Sequence, residues 1–417
     1  MILRAKYVMP SSHEVFENGA VRIQGGLIAE VGRMGDVEIG GGERVLDLGE
    51  VALLPGFINA HTHLELGHLA GQIPPPKSFA DWLETIVHRR ETDPIRIAHL
   101  VEAGVRQALA SGTTTIADVT YTGATLEPLC RLPIRKRVHL EAIGFDPRRA
   151  DSVLAELDQK ITSAPEDPLL TVGLSPHAPY STSERLYQLC IEYARERRLP
   201  MCSHVAETPE EEEFVARGTG PLLRLLDRLG VLHDHWRPRG ETPVQYLDRL
   251  GFWRQSPLLI HGNYIRDEDI PILRDQNVTV VYCPRSHDYF GHPDHPFEKL
   301  FARGINVALG TDSLASTPDL SLLNEMRFLT RRYPHVSPER ILTLAMLNGA
   351  KSIRVRAKVG GLRAGWNADL VAVALPPGSG RIAERILAEE SQVVLTMVEG
   401  RVAYQAERGF LRAGEGL

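Results

Sequence analysis

Seven side chains of this 417-residue sequence are of the types that hold a metal ion or move protons, and each follows a short apolar run: His61, His63, His177, His204, Glu207, His261 and Asp312. His61 and His63 are two residues apart. Alternate side chains of a strand point to one face, so both rings can reach a single ion. By itself His-x-His is a weak signal, and the sequence carries a second such pair, His233 and His235, in a polar segment with Pro and Gly. That second pair reads as a surface lid or an oligomer contact. The first differs in position, because it closes the apolar run Val51-Ala52-Leu53-Leu54-Pro55-Gly56-Phe57-Ile58-Asn59-Ala60. Three histidines plus one aspartate make a donor set suited to Zn²⁺ or Fe²⁺ with room for water.

Residues so far apart in sequence meet only if a regular scaffold gathers their strand ends. Eight apolar segments read as strands, at 53–60, 114–119, 137–144, 169–175, 201–205, 258–260, 278–282 and 306–309. Helical apolar spacing lies between them, for example over 97–110, 183–197 and 267–274, with Thr182 or Ser183 as the cap of the second. No Gly-x-Gly-x-x-Gly follows the first strand, so the α/β alternation predicts a (β/α)₈ TIM-like barrel rather than an open doubly wound sheet. In such a barrel the C-terminal strand ends form the active site, where the residues above fall. Residues 1–54 and 362–417 instead show short strands and Gly-rich turns, and they are expected to pair into a small β-sandwich beside a barrel over 55–361.

Composition excludes several classes. A net charge of −6 without a basic block argues against nucleic acid, and the runs Glu210 to Glu213 and Arg195 to Arg198 read as solvated helix faces. No apolar run reaches the ~18 residues of a membrane span, and the N-terminus has no signal-peptide pattern. The expected location is therefore the cytoplasm. Cys130, Cys190, Cys202 and Cys283 stand singly in apolar surroundings and read as reduced core thiols.

The segments Pro55-Gly56-Phe57-Ile58-Asn59-Ala60-His61-Thr62-His63, Ser203-His204-Val205-Ala206-Glu207, His261-Gly262, Cys283-Pro284-Arg285-Ser286 and Gly310-Thr311-Asp312-Ser313 together resemble the amidohydrolase superfamily. The branch they resemble deaminates purines and related heterocycles and hydrolyses triazine chlorides. The resemblance implies that His61, His63, His204 and Asp312 bind metal, that Glu207 shuttles protons, and that His261 stabilises the attacking hydroxide. Asp312 would also take a proton from the water. Binuclear relatives need a bridging lysine at the fourth strand, which here ends Ser175-Pro176-His177, so one metal is implied, Zn²⁺ first and Fe²⁺ as the alternative.

For the substrate, His177 matches a position that hydrogen-bonds the purine edge in adenosine-type deaminases, while Trp82 and Glu91 fall where those relatives cover the site and bind ribose. Relatives commonly carry Cys-Pro-x-Ser-Asn after the seventh strand; here Arg285, His287 and Tyr289 would form a cationic, aromatic rim. That loop, with Thr242-Pro243-Val244-Gln245-Tyr246-Leu247, most resembles the aminodeoxyfutalosine deaminases of menaquinone biosynthesis, whose substrate carries a benzoate that Arg285 would pair with. The implied partner is a small nucleoside, with a homodimer allowed. Rival readings are adenosine, S-adenosylhomocysteine or methylthioadenosine deaminase, guanine deaminase, a triazine chlorohydrolase, or a non-catalytic scaffold.

Overall fold

Eight parallel strands alternate with helices through the middle of the chain: β1 (Phe57–Thr62), β2 (Thr113–Thr120), β3 (Arg135–Ala142), β4 (Leu170–Pro176), β5 (Cys202–Val205), β6 (Leu258–His261), β7 (Thr279–Tyr282) and β8 (Asn306–Leu309). The structure is a computed structural model describing residues 1–233, 236–353 and 357–407. His235 of the second histidine pair lies outside the described residues. Strands β1 to β4 pair in order, as do β5 to β8. Bridges between Leu174 and Met201 and between Thr62 and Asp312 join the two halves. Backbone N–H groups of Thr311 and Asp312 donate to the His61 carbonyl at 3.0 and 3.1 Å, closing the barrel.

The expected strand at 53–60 is in fact two. Val51–Pro55 belongs to the terminal sheet and Phe57–Thr62 to the barrel. Gly56 lies between them where a Cβ would sit 2.2 Å from Thr114. Val51 and Leu53 face the core of the terminal sheet, whereas Ala52 and Leu54 face that of the barrel. A strand buried on both faces has no polar side, which is why the sequence shows an unbroken apolar run.

The two chain ends do pair. Val51–Pro55 runs antiparallel to Leu370–Ala374 and parallel to Ile2–Ser11, within one eight-stranded sheet that encloses its own core around Leu3, Val21, Leu53, Leu370 and Leu395. The helix Pro94–Ala110 starts at an Asp93 cap and buries Ile97, Val101, Val105 and Ala108 along one stripe. Ser183 caps the helix Glu184–Arg197. The helix expected at 267–274 spans only Ile270–Asp275, because Pro271 favours its first turn and Asp269 occupies the position before it. Cys190, Cys202 and Cys283 are buried and all four cysteines are free. Among the described residues no helix is long and apolar enough to cross a membrane.

Candidate active site

The end of β1 is fixed before any ligand enters. The Asn59 side chain donates to Thr311 Oγ1 at 2.8 Å and accepts from the Thr311 and His61 backbone N–H groups at 3.1 and 3.3 Å. Gly310 passes so close that a Cβ would meet the His61 Cβ at 2.9 Å. His61 is thereby wholly buried, and neither of its ring nitrogens has a hydrogen-bond partner. Its Nε2 lies 3.6 Å from Asp312 Oδ1, and His63 Nε2 lies 4.0 Å from the same oxygen. His63 Nε2 and His204 Nε2 approach to 3.2 Å. His204 Nδ1–H donates to the His177 carbonyl at 3.0 Å, which leaves its Nε2 lone pair turned inward.

These donors fit a divalent cation. One donor atom from each of His61, His63 and His204 lies within 4.8 Å of the others. Buried imidazole nitrogens without partners are costly, and a bound ion is what satisfies such a set. Burial pushes His63 down to about 3 and His204 to about 4. Burial alone would raise Asp312, but His61, 3.6 Å away, and the other surrounding imidazoles hold it well below the usual carboxylate range. Neutral imidazoles beside an ionised carboxylate are the protonation state that binds a cation. The second carboxylate oxygen, Asp312 Oδ2, accepts from Ser286 Oγ at 2.6 Å and Ser316 Oγ at 3.0 Å, leaving Oδ1 for the centre.

Three non-glycine residues at strand ends, Ala206, His261 and Asp312, adopt positive φ of 53°, 71° and 60°. Such conformations cost about 1–3 kcal/mol each and persist where the surroundings enforce them. Glu211 supplies part of that enforcement by accepting the Ala206 and Glu207 N–H groups at 3.0 and 2.8 Å. Asn263 donates to the Glu207 carbonyl at 2.9 Å, and His295, stacked on Tyr282, donates to the His261 carbonyl at 2.9 Å. His295 is therefore a scaffold residue. The Glu210 to Glu213 run is not a purely solvated face either, since Glu211 is wholly buried and Glu210 accepts the Phe79 and Ala80 N–H groups at 2.9 Å. The result is Glu207 Oε1 at 3.4 Å from His261 Nε2, with burial holding the Glu207 carboxyl well above its usual range.

Above this floor is a cavity of about 370 Å³. His63, His177, His204, Glu207, His261 and Asp312 line its base; Phe79, Trp82, Ile86, Leu222, Leu225 and Leu226 form an apolar wall. Trp82 packs against Phe290 with ring centroids 5.1 Å apart. His177 holds Ser181 Oγ at 2.6 Å through Nδ1 and presents Nε2 3.8 Å from Glu141.

Four expected substrate contacts lie elsewhere. Glu91 does not line the cavity; it accepts the Thr92 and Asp93 N–H groups, both at 2.9 Å, and so caps its own turn. Arg285 is turned into the protein, where Nε meets Glu325 at 2.6 Å and Nη2 meets Asp319 at 2.8 Å. A guanidinium so paired has no free fork for a carboxylate. His287 is buried edge-on against Tyr282 at 5.5 Å, and the Tyr289 hydroxyl donates to the Ile73 and Pro74 carbonyls at 3.1 and 3.0 Å. Conversely, Glu141 and Arg90 line the cavity although the sequence reading passed them over. Glu141 carries the same signal as the others, an acid at a strand end, but extending the third strand to 144 placed it inside the strand. Ser316 and Glu211 carry no comparable signal, because their work is to hold other residues.

The profile of the Amidohydrolase family matches residues 52–403. An aminodeoxyfutalosine deaminase of Deinococcus radiodurans is 31% identical over 312 residues, 72% of this chain and 73% of its own. A 5-methylthioadenosine/S-adenosylhomocysteine deaminase of Pyrococcus furiosus is 28% identical over 392 residues, 90% of this chain and 86% of its own. The fold is shared with Helicobacter pylori aminofutalosine deaminase, solved with methylthio-coformycin, at a TM-score of 0.84 and 23% identity over 96% of this chain and 99% of that one. Because the family match takes in both the closed barrel and the strands that tie it to the terminal sheet, the chain belongs to the amidohydrolase family of metal-dependent hydrolases.

Proposed function

We propose that the chain is a hydrolytic deaminase of an adenine-type nucleoside, with 6-amino-6-deoxyfutalosine, and hence menaquinone biosynthesis, as its role. The observation that carries this reading is the convergence of partnerless His61 with His63, His204 and Asp312 beneath a cavity that also receives Glu207, His261 and His177. The Deinococcus and Pyrococcus relatives, both deaminases by name, support the adenine-type substrate.

His61, His63, His204 and Asp312 would hold one divalent transition metal, Zn²⁺ first and Fe²⁺ as the alternative, since imidazole and carboxylate donors suit both. Bound there, the ion supplies Lewis acidity that brings a water's pKa from 15.7 towards ~7. Asp312 Oδ1 takes a proton from the attacking water. Glu207, whose protonated form burial favours, delivers one proton to a ring nitrogen; the water's two protons, taken up through Asp312, then reload Glu207 and protonate the amine, which leaves as ammonia. His261, 3.4 Å from Glu207, orients the water. His177 presents its Nε2 to the purine edge, and Phe79 with Trp82 gives the base an apolar wall.

The test is ammonia release from 6-amino-6-deoxyfutalosine, 5-methylthioadenosine, S-adenosylhomocysteine, adenosine and guanine, with chloride release from a chlorotriazine, alongside metal analysis. We expect the highest kcat/KM on 6-amino-6-deoxyfutalosine. Preference for methylthioadenosine or S-adenosylhomocysteine would move the substrate to the Pyrococcus-type reading. Turnover of guanine or the triazine alone would overturn the nucleoside assignment.

A further inference from the structure

The carboxylate partner expected of Arg285 has to be sought elsewhere in the cavity, and Arg90 has the required properties. It follows the helix Phe79–His88 and its side chain lines the cavity. The guanidinium lies over the Tyr121 ring, 4.0 Å from its centroid, and its Nε is buried without a hydrogen-bond partner. Among the described residues Arg90 makes no hydrogen bond or ion pair. Arg285 and Arg135, by contrast, are locked to carboxylates.

A second observation on the same wall points to a ligand. Glu141 is only 6% exposed, lines the same cavity, and leaves Oε1 without a hydrogen-bond partner. Among the described residues the half-buried guanidinium has no polar partner and Glu141 Oε1 has only His177 Nε2 at 3.8 Å, beyond hydrogen-bond reach, so each is under-satisfied until something polar approaches it. An aromatic ring beneath the guanidinium fixes its plane and leaves its edge free for a bidentate oxygen pair. The other arginine on the cavity, Arg149, is exposed at the rim, where solvent screens a charge pair.

We propose that Arg90 is the specificity residue that binds an anionic carboxylate carried on the ribose arm of an adenine-type nucleoside, with Glu141 meeting a polar group of the same ligand. The inference rests on the deaminase reading of this site and adds to it the residue that selects the acid.

The probe is 6-amino-6-deoxyfutalosine against its methyl ester, which keeps the shape and removes the charge. The readout is the acid-to-ester ratio of kcat/KM in wild type, Arg90→Met, Arg90→Lys and Arg149→Met. Wild type should favour the acid by about tenfold or more, the scale of one charge-assisted bidentate contact. Arg90→Met should bring the ratio near one, with the loss falling in KM. Arg90→Lys, which keeps the charge and loses the fork, should fall between the two and serves if the Met variant does not fold. A wild-type ratio near one, a ratio that survives both Arg90 substitutions, or one lost only in Arg149→Met would overturn the assignment while leaving the deaminase reading intact. No ammonia from either compound in wild type would overturn both.

Discussion

Strand β3 carries charge at both of its ends, and the two ends are connected differently. At its start, Arg135 makes a two-point pair with Asp369 at 2.9 and 3.1 Å, and wholly buried Lys136 meets Asp167 at 2.6 Å. At its finish, Glu141 Oε1 has no hydrogen-bond partner, and at the end of β1 neither His61 nitrogen has one. Charges at the N-terminal end of the barrel are closed on the protein, and one pair ties barrel to terminal sheet. At the C-terminal end some are closed as well, as Arg285 is on Asp319 and Glu325, but Glu141 Oε1 and the His61 nitrogens are left open. At the cavity and its floor, scaffold and site are therefore told apart by partnership rather than residue type: a buried polar group with its bonds made holds the fold, and one without them there awaits a ligand.

The strongest test of this contrast removes an open group. His61→Ala or Asp312→Ala should leave the barrel folded but reduce bound metal from about one ion per chain to near none, with turnover lost. Metal analysis and ammonia release on the same preparation check it; full activity in a metal-free sample would end the hypothesis. Removing a closed group should do the reverse. Arg135→Met leaves the Asp369 carboxylate buried without its cation, a change that costs about 3–5 kcal/mol. Urea unfolding should show that loss, while kcat of the folded protein stays near wild type. A stability loss below ~1 kcal/mol would mean the pair does not hold the two sheets together.

Glu207 stands between these cases, buried and strained into place yet facing the cavity. Glu207→Gln keeps size and packing and removes the transferable proton, so kcat should fall by at least ~10²-fold without a change in unfolding midpoint. Near wild-type kcat would exclude the shuttle role.

Much of this was legible in the sequence because the barrel repeats one simple rule. Most of its eight strands hold a short apolar run, with β3 and its Arg, Lys and Glu as the exception, and a histidine or acid at the end of such a run marks the functional end, as at His61, His204, His261 and Asp312. What the sequence could not show is pairing across space. Arg285 in Cys-Pro-Arg-Ser reads equally as a substrate cation or as a tie to the helix Leu322–Arg332, and only the positions of Asp319 and Glu325 decide between them. Glu91 fails for a local reason: its carboxylate is consumed by the next two N–H groups. Arg90 has no motif around it and becomes visible only when the cavity and its missing partners are seen together.

The smallest expected effect concerns a group that is closed yet serves the open end. Ser286 donates to Asp312 Oδ2 at 2.6 Å from the short helix Pro284–Tyr289 after β7, and Ser316 donates to the same oxygen at 3.0 Å. Two hydroxyls on one oxygen set the carboxylate plane and direct Oδ1 at the histidines. Supporting bonds of this kind commonly contribute 10- to 100-fold to metal affinity. Here the lower figure applies, because Ser316 remains when Ser286 is removed. Ser286→Ala should thus weaken metal retention by about tenfold, measured by competition with a chelator, with little change in global stability. Saturating metal should then restore kcat, since the bond orients a ligand and touches no substrate. If affinity is unchanged, Ser286 belongs with the closed scaffold; if kcat stays low at saturating metal, Asp312 needs its orientation for proton transfer as well as for binding.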